Sequence, residues 1–240
     1  MIKEIFFDKW TEIFDKNNLP IFYNADYLQA LAKSFNIKLK YYAFIEDSNV
    51  LFATAIFTSK NQIVIPEYFS YNPYWFNLEL SERKRVLIQK DFIKVIKSQY
   101  WKIKIKFNID VLDIRPYVWE GFDINVRYTY LKSVDDTSSH SIIQKKLKRV
   151  KKSDLKINVC SPSDQSILEN VTFLRKLNYS FSQLEKYKVF LNLLRNNGLV
   201  LGFEIFYSNQ LVGSSIVLID KNNLTGFTLI ANPVSEQYKY

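Results

Sequence analysis

Arg115 and Arg127 carry the most pointed chemistry in this chain. A guanidinium is rarely buried without a partner, and its planar fork matches the paired oxygens of a carboxylate or phosphate. Arg115 opens the run Arg115-Pro116-Tyr117-Val118-Trp119-Glu120-Gly121-Phe122, and Arg127 opens Arg127-Tyr128-Thr129-Tyr130. Both are expected to serve a substrate rather than folding. Trp119, Tyr128 and Tyr130 either line a cleft beside them or fill the core. Strand alternation puts Tyr128 and Tyr130 on one face, so they share that fate. Asp110 and Asp113 bracket the Arg115 turn, as plain turn residues or as carboxylates that orient the guanidinium.

A second cationic group follows. Lys145, Lys146, Lys148, Arg149, Lys151 and Lys152 fall on one helix, whose apolar edge is Ile143, Leu147 and Val150. Such a face is either simply solvated or an anion site for phosphate groups, RNA included. His140 is the only histidine, so neither a zinc site nor a catalytic triad can be built around it. Cys160 ends an apolar strand and reads as a small packing residue. Glu204 sits inside another apolar strand, as a general base or as an outward-facing side chain.

These residues need elements to position them. Asp8–Asn17 reads as a short helix capped by Asp8, and Asn24–Phe35 as a second, capped by Asn24. Leu39–Ile45 and Val50–Thr58 form a hairpin across Glu46-Asp47-Ser48-Asn49. Ile63–Ile65 begins a third strand. Glu82–Tyr100 is a long amphipathic helix with Ile88, Phe92, Val95, Ile96 and Tyr100 in its stripe. Lys102–Phe107 and Ile124–Leu131 read as strands. The polar stretch Ser133–Ser139 separates two lobes, 1–134 and 139–240. The second lobe holds the basic helix, a strand over Leu155–Cys160, and helices over Asp164–Leu177 and Ser182–Asn196. Three more strands follow, at Leu199–Tyr207, Leu211–Ile219 and Leu224–Ile230.

The lobes repeat each other. Asn24–Pro73 lies over Leu184–Pro233 at an ungapped offset of 160 residues, pairing Tyr27 with Tyr187, Leu31 with Leu191 and Ile56 with Ile216. The Asn72-Pro73 and Asn232-Pro233 dipeptides also coincide. A duplication matters for function because a cleft between two similar lobes is a common place for a substrate.

Composition narrows the class. With 240 residues, 48% hydrophobic and 24% charged, the chain reads as a globular protein of one or two domains. No apolar run is long enough to span a bilayer and no signal peptide is visible, so a cytoplasmic location is expected. The net charge is +9, with the excess concentrated after residue 137. That favours an anionic partner, although AT-rich coding would also enrich lysine.

The order helix, helix, strand, strand, strand, helix, strand is that of the GNAT acyltransferase fold. The Arg115–Phe122 and Val126–Tyr130 segments resemble the Arg/Pro-Phe-x-Trp-x-Gly-Tyr and Arg-Tyr-Thr-Tyr segment of FemAB-like acyltransferases, which are tandem-GNAT proteins. Ile142–Lys152 followed by Leu155–Val159 resembles the lysine helix that opens their second lobe. The resemblance implies an α/β fold with mixed sheets and two tandem GNAT-like lobes, the second incomplete. It implies transfer of an acyl or aminoacyl group, from aminoacyl-tRNA or an acyl thioester, to an amine of a cell-envelope precursor. Substrate contacts are then expected at Arg115, Trp119, Arg127, Tyr128 and Tyr130, and tRNA contacts on the lysine helix. The five isolated glycines form no phosphate loop, so coenzyme A is disfavoured in the first lobe. Neither a cofactor nor a metal is expected. Catalysis would come from backbone amides where two strands splay, so no signature nucleophile is expected. The 160-residue offset leaves the second lobe without counterparts of Glu82–Leu131. An exposed sheet edge there, and self-association through it, are expected. A non-catalytic RNA-binding or degenerate member is the alternative.

Overall fold

The structure is a computed structural model and describes residues 1–14, 19–67, 69–108, 110–128, 145, 148, 154–220 and 225–232. Its contacts divide into two units. One comprises Met1–Asp123, Val189–Leu199 and Ile219–Thr225; the other comprises Ile124–Lys188, Val200–Leu218 and Gly226–Tyr240. The fold class is mixed α/β, as the element pattern implied, with one sheet of six strands and one of four.

The first unit begins with β1 (Ile2–Ile5), α1 (Phe7–Phe14), a 3-10 turn (Ile21–Tyr23) and α2 (Ala25–Phe35). It continues through β2 (Lys38–Glu46), β3 (Asn49–Ser59), β4 (Gln62–Val64), β5 (Tyr74–Phe76), α3 (Glu82–Gln99), β6 (Lys102–Ile103) and α4 (Arg115–Trp119). The sheet order is β1-β2-β3-β4-β6, with β5 also paired to β3. Among the described residues of this sheet only β4 and β6 run parallel, as expected of strands joined by a helical crossover. Asn24 caps α2 by accepting from the Tyr27 amide, and Ser81 caps α3 by accepting from the Lys84 amide. The apolar stripe of α3 then buries Ile88, Phe92, Ile93 and Ile96 with Tyr42, Phe52, Tyr74 and Tyr117.

The fourth strand of this sheet is broken. β4 pairs with residues 57–59 of β3, and β5 with residues 52–54, so the intervening chain leaves the sheet and returns. Asn72 closes the break. Its Nδ2 donates to the Ala55 carbonyl at 3.0 Å, and its Oδ1 accepts from the Lys106 amide at 3.0 Å. Its own amide donates to the Lys106 carbonyl at 2.8 Å. One fully buried side chain thus does what a run of strand backbone does elsewhere. Thr54 Oγ1 pins the next carbonyl, Pro73, at 2.6 Å.

The remaining elements are β7 (Lys156–Cys160), α5 (Asp164–Lys176), α6 (Phe181–Asn196), β8 (Val200–Tyr207), β9 (Gln210–Asp220) and β10 (Thr225–Asn232). The second sheet has the order β10-β9-β8-β7. Ser163 caps α5 by accepting from the Ser166 amide.

The helix-hairpin repeat is present, with one correction. α2 and α6 bury the same face at the offset of 160: Tyr27 and Leu31 on one, Tyr187 and Leu191 on the other. The hairpins are offset by 161. β2–β3 pairs Ala43 with Ala53 and shifts register after Phe44; β8–β9 pairs Glu204 with Ser214 and shifts register after Ile205. Asp47 and Ser48 take positive φ in one turn, and Ser208 and Asn209 in the other. An ungapped alignment would put every hairpin side chain on the wrong face. The helix ends are offset by 162, so two residues enter there and one drops out again before the hairpin. α2 closes with Ile37 N–H to Ala32 O beyond Asn36 at φ 52°, and α6 closes with Leu199 N–H to Leu194 O beyond Gly198 at φ 64°. Asn72 precedes β5, whereas Asn232 ends β10, so those two asparagines are not equivalent; Pro233 lies outside the described residues.

Other expectations shift. β1 and α4 were not foreseen. Asp8 falls inside the first turn of α1 rather than ahead of it. Lys102–Phe107 is ladder-paired only over its first two residues, because Asn72 takes over the pairing at Lys106. Residues 124–128 form no strand; they are exposed and gain no partner for an alternating face. The lobe boundary at Ser133–Ser139, His140 and the apolar edge Ile143, Leu147 and Val150 lie outside the described residues.

Replacing Asn72 by Ala should cost about 2–4 kcal/mol, because two buried backbone groups lose their partners. Urea unfolding of Asn72→Ala against wild type checks this; a loss well under about 1 kcal/mol would mean water replaces the amide.

Candidate functional site

Arg115 opens α4, and Pro116 beside it has the fixed φ that a first helical turn accepts. Gly121, at φ 80°, ends the turn. Asp113 gathers the arginine: its Oδ1 accepts from Arg115 Nε at 2.9 Å and from the Arg115 amide at 3.0 Å, and its Oδ2 accepts from Nη2 at 2.8 Å. That hydrogen bonding holds the Asp113 carboxyl below the usual carboxylate range. Asp113 therefore orients the guanidinium as well as forming the turn. Asp110 instead accepts from Asn108 Nδ2 at 2.8 Å.

Trp119 is 58% exposed, so it is a surface residue and not a core one. Lys90 Nζ lies 5.0 Å from its ring centre and the Arg115 guanidinium 5.9 Å. Arg115 and Trp119 thus form one cationic-aromatic patch with Lys90, which the sequence did not single out. The patch offers charge and a π face to an anionic, planar or sugar-bearing ligand. Lys97 adds a hydrogen bond to the Glu120 carboxylate at 3.1 Å.

Arg127 and Tyr128 are exposed in the other unit, Tyr128 by 92%. Lys145 and Lys148 are helical and exposed. Tyr130, Lys146, Arg149, Lys151 and Lys152 lie outside the described residues.

Beside the broken strand, β5 and the chain after β6 stop sharing backbone hydrogen bonds. Past Asn72 and Lys106 no backbone hydrogen bond joins them among the described residues. Aromatic side chains occupy the opening. The Tyr74 and Tyr117 hydroxyls meet at 2.7 Å, and the Phe107 ring centre lies 5.0 Å from Tyr74 and 4.8 Å from Tyr117. The Tyr74 amide, at the edge of the opening, donates to the Tyr23 hydroxyl at 3.2 Å. Burial pushes the Tyr23 phenol up to about 12, and Asp110 adds to the rise. Burial raises Tyr74 and Tyr117 as well. This opening is a packed aromatic core, and the Tyr74 amide at its edge is already hydrogen-bonded.

In the second unit Glu204 is 4% exposed and accepts from the Ser163 amide at 2.8 Å. It supplies from β8 the carboxylate that a capping box takes from its own helix. That is a structural duty at the start of α5, and the side chain does not face outward. Burial raises the Cys160 thiol, and the nearby Glu204 carboxylate adds to the rise. Such a thiol is a poor nucleophile. Asn170 bonds Ser166 O at 2.8 Å and Ser214 Oγ at 2.6 Å, completing a buried polar layer. Among the described residues no group of three or more His, Cys, Asp or Glu is placed to hold a metal ion.

No family model matches this chain, and no curated protein matches it. Among solved structures it is similar to an acetyltransferase of the GNAT family from Colwellia psychrerythraea, with 12% identity and a TM-score of 0.45 over 100% of this chain and 79% of that one.

The buried phenols set an alkaline limit. A phenol whose folded pKa is raised keeps its proton longer folded than unfolded. Its contribution is therefore complete below about pH 10 and is lost as pH rises towards about 12 for Tyr23. The tyrosine contribution to stability should be flat in pH up to about 10 and fall steeply above it. Ultraviolet phenolate titration beside urea melts checks this. Full ionisation of all tyrosines in the folded protein near pH 10 would contradict it.

Proposed function

We propose that this protein is an acyltransferase of the GNAT type, related to the FemAB-like enzymes. It would transfer an acyl or aminoacyl group from a tRNA ester or a thioester to an amine of a cell-envelope precursor, in the cytoplasm. The observation that carries the reading is the first unit's topology. β1, two helices, an antiparallel run of three strands, α3 and a parallel β6 follow one another in GNAT order, and the fourth strand parts from its parallel neighbour. The aromatic–arginine segment around Arg115 supports the FemAB-like assignment. Among the described residues no helix is long and apolar enough to cross a membrane.

In the reaction, the neutral acceptor amine attacks the donor carbonyl. The tetrahedral oxyanion collapses, the C–O or C–S bond breaks, and the amine proton leaves with the alcohol or thiol. Backbone amides at a strand opening would stabilise the oxyanion. In the first unit Tyr74, Tyr117 and Phe107 fill that opening. We therefore assign substrate holding to this unit, with Arg115 and Trp119 meeting the anionic part of the acceptor, and the donor to the second unit. Arg127, Tyr128 and Tyr130 are further substrate contacts in this reading. Lys145, Lys146, Lys148, Arg149, Lys151 and Lys152 are the contacts for tRNA phosphates.

Incubation with labelled aminoacyl-tRNA or an acyl thioester and an amine-bearing precursor tests the reading. Wild type should transfer label. Arg115→Lys should lower kcat/KM at least about tenfold, because the planar fork is lost. Its melting temperature should stay unchanged, since Arg115 is exposed and its ion pair is with its near neighbour Asp113. The alternative is a non-catalytic RNA binder. It would give no transfer with either donor, and RNA affinity whose logarithm falls with log salt by about 0.7 per phosphate contact.

A further inference from the structure

The second sheet ends on an unprotected edge. β7 is its outermost strand, antiparallel to β8, and among the described residues no strand pairs with its other side. It lies at the opposite edge from β10, where the repeat placed the expected self-association. An edge strand offers a row of unpaired N–H and C=O groups, which proteins blunt with charges, proline or a bulge. Between Ile157 and Cys160 there is neither a charge nor a proline, and the register with β8 runs unbroken from Lys156 to Cys160.

One face of this edge is apolar as well. Ile157 and Val159 share one side of the strand, and each is 56% exposed. Across the ladder they stand opposite Ile205 and Phe203, and Phe203 is itself 38% exposed. The other face of the sheet carries Glu204 and Ser214, buried against the start of α5 and Asn170. One face is thus covered by a helix, while the other bears an apolar stripe that runs out to the edge.

Such an edge fits a second copy of itself. Antiparallel pairing is self-complementary about a two-fold axis. One register satisfies backbone and side chains together. With Asn158 on the axis, opposite the partner's Asn158, Ile157 meets the partner's Val159 and Lys156 meets the partner's Cys160. The apolar stripe then continues across the axis, and no like charges stand opposite each other. A slip by one residue would put the two stripes on opposite faces. We propose that two copies of this chain pair through β7 in this register, joining their second sheets into one. The inference does not depend on the transferase reading.

Sedimentation equilibrium of the full chain over about a hundredfold range of concentration tests it. Wild type should rise from one chain to two. Amide hydrogen exchange over residues 157–159 should slow as it does so, which locates the contact. Each chain carries a net charge of +9, so the copies repel and added salt should strengthen the pairing. A complex bridged by RNA would weaken with salt instead, and would overturn the proposal. Asn158→Lys sets like charges across the axis, and Val159→Lys puts a charge into the stripe. Each acts twice in a two-fold dimer and should weaken pairing at least about fivefold. Both side chains are exposed, so the melting temperature of the monomer should stay near that of wild type. A chain that stays single at every concentration, or a dimer that neither substitution weakens, would overturn the proposal. If the variants do not fold, the wild-type series with hydrogen exchange decides alone: a dimer whose residues 157–159 exchange no more slowly removes it.

Discussion

The first sheet depends on the amide of Asn72. A strand that leaves its sheet strands the backbone groups of both neighbours, and buried backbone groups need partners. Asn72 meets that need with one donor, one acceptor and its own N–H, spanning from Ala55 to Lys106. Few side chains can do this. An aspartate lacks the donor, and a glutamine would overreach the gap. The break in turn allows the sheet to open beyond Lys106, and the opening is what admits Tyr117 and α4.

From that opening follows the placement of the cationic-aromatic patch. Tyr117 is drawn inward to Tyr74, with both rings buried. In a single helical turn, burying Tyr117 sends Arg115 and Trp119 outward. Asp113 then fixes the guanidinium and Lys90 reaches the same indole from α3. An exposed tryptophan held between two cations is better suited to a ligand than to packing. Beside it, Tyr74, Tyr117 and Phe107 fill the strand opening, which in the proposed transferase leaves this unit to hold substrate.

The second unit shows how a duplicated helix and hairpin can change use. Where the first hairpin pairs Ala43 with Ala53, the second pairs Glu204 with Ser214. In place of the small apolar pair stands a buried polar layer with Asn170 and the start of α5. The net one-residue difference between the two helix-to-hairpin connections preserves the buried face of each hairpin, since strand side chains alternate with a period of two.

Periodicity and caps alone determined most helices and hairpins. Asn24, Ser81 and Ser163 each sit where a free helix amide needs an acceptor, and the apolar stripes of α2, α3 and α6 are local patterns. The mixed α/β class followed from their order, and Arg115 stood out because of its residue type. Tertiary structure decided the rest. It decided the break in the fourth strand, because Asn72 gains its meaning from residues 17 and 34 positions away. It decided that Trp119 faces outward and Tyr117 inward, and that Glu204 caps a helix 41 positions earlier. It also brought Asp220 to the Ile21 amide across 199 positions, beside the rings of the first helix. Local sequence fixes hydrogen bonds between near neighbours. Partners this far apart meet only when burial of the whole chain brings their backbones together.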